Sequence, residues 1–390
     1  MAEAYIVAAN RTAGGRKNGK LKDWHPGDLG GHVLNDILER TGVDPAAVED
    51  VIMGCVTQAG QQANNVARSA VLASRLPESV PATSIDRQCG SSQQAIHFAA
   101  QAVMSGTMDI VIAGGVESMT RVPMGTAVSL PFQAGLGFPK SPRMEDRYPG
   151  VMFSQFGGAE MVAKKHGLTK DQLDQFSFES HQKAIAATQA GAFKSEIVGV
   201  EIVDAEGVKS LHTIDEGIRF EASLEGIRGV KLLQEDGRLT AASSSQICDG
   251  ASAVMIVSEA GLKRLGVKPL ARIHHMSVMG GDPVIMLEAP LPATARALQR
   301  AGMSVDDIDI YEVNEAFASV PSAFIKHLGV DPARVNVNGG AIALGHPLGA
   351  SGTKLMATLI NALQARGKRY GLQTMCEGGG MANVTIIERL

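Results

Sequence analysis

Apolar positions along this chain fall into two alternating textures. Uninterrupted short runs such as AYIVAA read as strands buried on both faces, whereas LGGHVLNDILERTG repeats its apolar residues every three or four positions and reads as a helix with one buried side, closed by Gly42. The strand-like VEDVIMG and the helical NNVARSAVLAS follow in the same alternation. Strands separated by helices predict an α/β fold, a largely parallel sheet covered by helices.

The pattern then occurs a second time. LARIHHMSV corresponds to the first strand and PATARALQRAG to the first helix, with Gly302 standing where Gly42 stands. DDIDIYEVNEAF matches VEDVIMGCVTQ, and GMANVTIIE matches GASAVMIVSE. PATSIDRQCGSSQQAIHFAAQAVMSG and VNVNGGAIALGHPLGASGTKLMATLINAL are both an extended segment, a glycine-bearing turn with one reactive residue, and a helix. Such self-similarity predicts a duplicated α/β unit. The expected division is an N-terminal half over 1–118, completed by about 247–267, an inserted loop domain over 119–246, and a C-terminal half over 268–390. Within the insertion, VPMGTAVSLPFQAGLGFPKSPRMEDRYPG is rich in Pro and Gly and predicts a long ordered loop without regular elements. A helix through LTKDQLDQFSFESHQKAIAATQAGAF follows, with Thr169 as its N-cap.

Composition narrows the function. With 45% hydrophobic and 19% charged residues over 390 positions, the chain can bury more than one ordinary core. Basic residues are scattered and aromatics make up only 4%, which sets aside a nucleic-acid partner. No segment approaches the ~18 unbroken apolar residues of a membrane span. The cysteines Cys55, Cys89, Cys248 and Cys376 are far apart and lack CxxC spacing, which argues against a zinc ribbon or a disulfide framework. Free thiols, a start without a signal-like segment and an ending IIERL that is not a peroxisomal tripeptide make the cytoplasm the expected location.

Three positions could carry chemistry. Cys89 stands between the extended PATSI and a helix whose Ile96, Ala99, Ala100 and Val103 share a face. A thiol at a helix N-terminus meets unpaired backbone N–H groups and the positive end of the macrodipole, which favours the thiolate. Taken alone, the position also suits a small buried apolar side chain. His346 occupies the equivalent place in the second copy, so a two-fold relation between the halves would bring a base to the nucleophile; outside the duplicated context it would be a surface histidine in a glycine-rich loop. Cys376 precedes Glu377 and then Gly378, Gly379 and Gly380, whose bare N–H groups could cradle an oxyanion or simply form a turn. Cys55 and Cys248 have no such setting and are read as core.

Taken together, DRQCGSSQQA, VNEAFA, NGGAIALGHPLGASG and MCEGGGMANVTIIE, in this order and at these separations, resemble the thiolase family over essentially the whole chain. The resemblance implies a five-layered α-β-α-β-α core with an inserted loop domain. It also implies a reversible Claisen reaction, in which a 3-ketoacyl-CoA is cleaved by free CoA or two acyl-CoA molecules condense. Cys89 would hold the acyl group, His346 would take its proton, and Cys376 would act as acid and then base. His346 with a water on Asn314 would stabilise the enolate, and the N–H groups of Cys89 and Gly378 the tetrahedral intermediate. Ser245 in SSSQICDGA matches the pantetheine contact, Arg219 in DEGIR the adenine end, and Phe317 would line the acyl pocket. No cofactor is permanently bound; coenzyme A and acyl-CoA are substrates, and a homodimer or homotetramer is implied. The chain departs from the acetoacetyl-specific members in carrying Ser154 and Gln155 where they have His-Met, which leans toward broader 3-ketoacyl substrates. It also has Asp86 where many members have Asn, and it places Glu377 beside Cys376. A decarboxylating ketoacyl synthase would use a second histidine or an asparagine in place of Cys376, and a non-catalytic acyl-CoA carrier would not need both cysteines, His346 and Asn314.

Overall fold

The computed structural model describes residues 2–390. Its first half comprises β1 (Tyr5–Thr12), α1 (Pro26–Thr41), β2 (Asp50–Gly54), α2 (Val66–Leu72), β3 (Ala82–Ile85), α3 (Ser91–Met104) and β4 (Ile110–Ser118), and β5 (Cys248–Val257) closes it after the insertion. The strands lie in the order β3-β2-β4-β5-β1, parallel through β4 and antiparallel at β5.

The insertion carries α4 (Gln155–Lys165), α5 (Lys170–Gln189) and a hairpin of Val200–Val203 with Lys209–His212. Thr169 caps α5 in a reciprocal capping box with Gln172. The stretch expected to be a loop contains two short helices, Thr126–Gln133 and Pro142–Arg147, neither of which buries a residue. Its Pro and Gly residues partly mark helix ends: Ser141 Oγ caps the second helix and Pro142 sits at its first position, where a fixed φ and a missing N–H cost nothing.

The second half repeats the first with β6 (Ala271–Gly280), α6 (Pro290–Ala301), β7 (Ile310–Val313), α7 (Ser319–Leu328), α8 (Ser351–Ala365), β8 (Tyr370–Glu377) and β9 (Met381–Arg389). Its order, β7-β8-β9-β6, has the same mix of one parallel and two antiparallel pairings at the equivalent strands, and Val335 bridges to Tyr311 where β3 would lie. Gly42 and Gly302 end α1 and α6 at φ 62° and 68°, the left-handed cap that glycine adopts without a Cβ clash.

Five layers result. Between the sheets, Ile96, Ala99 and Val103 of α3 and Met356, Leu359 and Ile360 of α8 share one apolar cluster with inward residues of both sheets, including Val111 and Ile387. On the outer face of the first sheet, α1 and α2 bury Leu34, Ile37 and Ala70 against Met53 and Ile112. On the outer face of the second, α6 and α7 bury Leu291, Val320 and Phe324 against Tyr311 and Val384. The sheets also join edge to edge through β1 and β6, at Tyr5 with Arg272 and Ile6 with Ala271.

One buried ion network ties the insertion to this frame. Arg11 on β1 is fully buried; its Nε donates to Glu196 Oε1 at 2.6 Å and its guanidinium to both oxygens of Asp215 at 2.8 and 3.1 Å. Asp215 also accepts from Gly14 N, and Glu196 from Thr358 on α8. Removing one member of a buried ion network leaves its partner charges unpaired. Arg11→Ala should therefore lower the unfolding free energy by about 3–5 kcal/mol, measured by urea denaturation; a loss below about 1 kcal/mol would assign the anchoring to apolar contacts instead.

Candidate active site

The two central helices begin side by side. A Cβ on Gly352 would stand 2.0 Å from the backbone nitrogen of Gln93, so only glycine lets α8 approach α3 this closely. Thr353 N then donates to Ser92 Oγ at 3.1 Å. The residues leading into these helices, Cys89 and His346, are thereby carried to the same end of the central layer. The turn between β8 and β9 closes on them: Gly378 lies against Gln88, and Glu377 against Gly90. Cys376, at the end of β8, is near enough to Cys89 for a charge on one sulfur to raise the pKa of the other. From the end of β7 comes Asn314, held by its N–H to Thr374 O at 3.0 Å, with Nδ2 3.3 Å from His346 Nε2.

Hydrogen bonding fixes the state of His346. Its Nδ1 lies 2.5 Å from Ser351 Oγ, and that hydroxyl donates its single hydrogen to Pro347 O at 2.9 Å. Ser351 must then accept from Nδ1–H, which leaves the Nε2 lone pair facing Asn314 Nδ2. Burial, with the nearby Lys354, pushes the imidazole pKa down to about 3, so the ring is neutral and this nitrogen unprotonated at rest. Lys354 is itself buried and donates to Leu344 O at 2.6 Å and Gly345 O at 2.8 Å, pinning the loop that carries His346. Asn314 Oδ1 is buried without a protein partner among the described residues, a free acceptor at the same centre.

The thiolate expected from the helix terminus does not form at rest. Burial first, and the neighbouring Glu377 second, push the Cys89 thiol up to about 12. Gly90 is the N-cap of α3, so Cys89 lies one residue outside the helix. A helix terminus is worth about 0.3–1 kcal/mol, too little to offset that burial. Cys376 is raised well above the ordinary thiol value by burial and then by Cys89. The resting site thus holds two thiols and a neutral imidazole, with His346 and Cys376 buried and Cys89 half-buried. Cys55 and Cys248 are buried among core side chains.

The remaining sequence-derived residues, Ser245, Arg219 and Phe317, are linked to the strand ends and loops around this centre or line cavities beyond it. Ser245 N donates to Ala316 O at 2.9 Å, Ser244 bridges to Phe317, and His346 N donates to Gln246 O at 3.1 Å. Ser244 and Gln246, on either side of Ser245, line a cavity of about 580 Å³ together with Arg219, His181 and Ser223. Phe317 is buried and stacks edge-to-face on Phe156 at 5.4 Å. Its partner Phe156 faces a smaller apolar cavity with Leu233 and Leu239.

Sequence reading missed Ser351, Lys354 and Glu117. The carboxylate of Glu117, at the end of β4, accepts from Val56 N, Thr57 N, Gln62 Nε2 and, across the halves, Gly349 N at 2.9 Å. The only available signal for Ser351 was its place five residues after His346 at the start of a helix, and Lys354 looked like an ordinary helix-surface cation.

Two like α/β halves that bring a histidine and two cysteines to a shared dry centre define an acyl-transferring enzyme. The chain belongs to the thiolase family: residues 4–260 match the thiolase N-terminal domain and residues 267–389 the thiolase C-terminal domain. It is 52% identical over 392 residues to the steroid 3-ketoacyl-CoA thiolase FadA6 of Mycobacterium tuberculosis, covering 100% of this chain and 95% of that protein. The 3-ketoacyl-CoA thiolases of Erwinia tasmaniensis and Aliivibrio fischeri are each 44% identical, with 100% of both chains covered. The protein is a thiolase and hence an acyltransferase.

Because Ser351 sets the tautomer of His346, Ser351→Ala should reduce turnover by about tenfold or more, short of the roughly 10²–10⁴-fold attributed to a general base itself. Steady-state kinetics with a circular-dichroism control checks this; unchanged turnover would mean that another group orients the ring.

Proposed function

We propose that the protein cleaves 3-ketoacyl-CoA with free CoA, giving acetyl-CoA and a shortened acyl-CoA, and catalyses the reverse Claisen condensation, through an acyl-Cys89 intermediate. The observation that carries this reading is the gathering of Cys89, Cys376, His346 and Asn314 where α3 and α8 begin. The relatives' names support the substrate class.

In the cleavage direction, the sulfur of Cys89 attacks the keto carbon while its proton passes to Nε2 of His346. The tetrahedral oxygen is met by the N–H groups of Cys89 and Gly378, each such donor being worth about 10²–10³-fold in rate. The C2–C3 bond then breaks, and its electron pair leaves as the enolate of acetyl-CoA, whose oxygen faces His346 and a water on Asn314. The Cys376 thiol protonates C2, and the resulting thiolate removes the proton of an incoming CoA. That CoA sulfur attacks the acyl carbon, and Cys89 leaves and recovers its proton from His346. Neutral groups at rest suit this sequence, since each proton moves only as charge develops on its partner.

Coenzyme A, a substrate and not a resident cofactor, is assigned to the cavity bearing Arg219, with pantetheine threading past Ser245 toward Cys89. Phe317 backs Phe156 at the acyl end, and the FadA6 likeness favours ring-bearing acyl groups among the substrates. A homodimer or homotetramer working in the cytoplasm completes the proposal; its free cysteines stay thiols in a reducing compartment. Among the described residues, no helix is long and apolar enough to cross a membrane. The sulfur at Cys376, where a decarboxylating synthase uses histidine or asparagine, favours thiolysis over that chemistry.

Incubation with acetyl-CoA should add one acetyl mass to the peptide containing Cys89, and label confined to another residue would reject the intermediate. Cys376→Ser should slow carbon-carbon cleavage by about 10²-fold or more and slow Cys89 acetylation by a much smaller factor. Equal losses in both steps would refute the division of labour between the two thiols. Thiolysis rates over linear and ring-bearing 3-ketoacyl-CoA substrates then test the acyl preference, a flat profile arguing against a ring-bearing one.

A further inference from the structure

Glu377 is the buried acid that the mechanism above leaves unused. Its side chain is packed against Gly90, one residue from the nucleophile: a Cβ on Gly90 would stand 2.0 Å from Glu377 Oε1 and 2.4 Å from Asn383 Oδ1. Two hydrogen-bond acceptors therefore crowd the same point. Both oxygens of Glu377 and the Oδ1 of Asn383 are buried without a protein partner among the described residues. The amide nitrogen of Asn383 is already committed to Gln94 Oε1 at 3.2 Å, so its oxygen is the atom facing Glu377. Nor does a cation compensate the carboxyl. Arg87, in the loop before α3, reaches Met381 Sδ with one nitrogen, leaves Nε unpartnered, and forms no ion pair with Glu377 among the described residues. A buried carboxylate beside an unpaired carbonyl oxygen is doubly unfavourable, whereas a carboxylic acid can donate to that oxygen and satisfy both.

We propose that Glu377 is a positioning residue of the acyl-transfer site that works as the protonated acid, its proton shared with Asn383 Oδ1, and that loss of this proton switches Cys89 off. The inference rests on Cys89 being the nucleophile. In its neutral form Glu377 fills the space behind Gly90 and adds no negative charge of its own when Cys89 or Cys376 becomes a thiolate. Once ionised, it puts a negative charge against the same backbone and opposes either thiolate. The other charged or titratable groups facing this cluster are Arg87 and Asp86 before α3, Cys89, Cys376 on β8, and Glu117 on β4; of these only Arg87, aided by the backbone N–H of Asn383, favours ionisation of Glu377. Burial outweighs it, and the carboxyl titrates at about 8 instead of in the usual carboxylate range.

Alkylation by iodoacetamide, read as the initial rate at the Cys89 peptide by mass spectrometry, tests the switch without any acyl-CoA. A failure here is thereby distinct from a failure of thiolase turnover. For a thiol with no titrating neighbour the rate climbs about tenfold per pH unit below its pKa. In the native enzyme the climb should flatten near pH 8, where Glu377 loses its proton. Glu377→Gln keeps the shape without the charge: its rate should climb without a break and exceed the native rate by about tenfold at alkaline pH, the effect of a one-unit shift in thiol pKa. Glu377→Asp should retain the flattening. An unbroken climb in the native enzyme, or a Glu377→Gln rate lowered by the same factor at every pH, overturns the proposal. Should the Gln variant fail to fold, the presence or absence of the break in the native enzyme decides alone.

Discussion

The contact between the first turns of α3 and α8 is the constraint on which the site depends. It exists because Gly352 has no side chain to keep the second helix from the backbone of Gln93. Cys89 and His346 are remote from each other in the sequence. Burying two apolar helices between two sheets, with their leading ends in register, brings those loops together as a by-product of core formation. Large apolar burial, at about 25 cal/mol per Å², thus drives the same packing that assembles a polar centre. The carboxylate of Glu117 locks it, since one side chain on β4 accepts hydrogen bonds from loops of both halves.

Dryness is the second theme of the centre. Burial holds the imidazole neutral, keeps both sulfurs protonated, and raises the carboxyl of Glu377. A preformed thiolate-imidazolium pair would place a charge on the buried His346, which burial disfavours. Instead the chain supplies fixed dipoles, the amide of Asn314 and the N–H groups around Cys89 and Gly378, which in the proposed mechanism meet charge that appears only during reaction. This explains why the nucleophile can be inert at rest and still serve covalent chemistry.

Periodicity and internal repetition made the architecture legible. β1 and β6, α1 and α6, and the glycines closing both helices could be paired from residue type alone, because each repeat needs the same buried face and the same left-handed cap. The motif-bearing residues Cys89, His346 and Cys376 were legible for a similar reason: glycine, proline and a reactive side chain cluster where a turn leads into or out of a regular element. The electrostatic state was not. A helix terminus argues for a thiolate, yet the deciding influences are burial and Glu377, which is remote from Cys89 in sequence. Ser351 and Lys354 look like ordinary helix residues until the Leu344–His346 loop is placed against them. The helices Thr126–Gln133 and Pro142–Arg147 were hidden by Pro and Gly that also serve as helix punctuation.

The Arg11 network has a consequence for molecular measurement. Glu196 and Asp215 belong to the insertion, and both are clamped to a guanidinium at the centre of the frame, with Thr358 of α8 completing the grip. Arg219 lies only four residues beyond Asp215, so the far wall of the 580 Å³ cavity is tethered to the same helix whose leading loop holds His346. Such a tether works like a ruler with one fixed length between handle and reacting carbon. On the proposed assignment of coenzyme A to this cavity, every substrate is presented at the same depth, and variation among substrates is absorbed on the opposite side of the reacting bond.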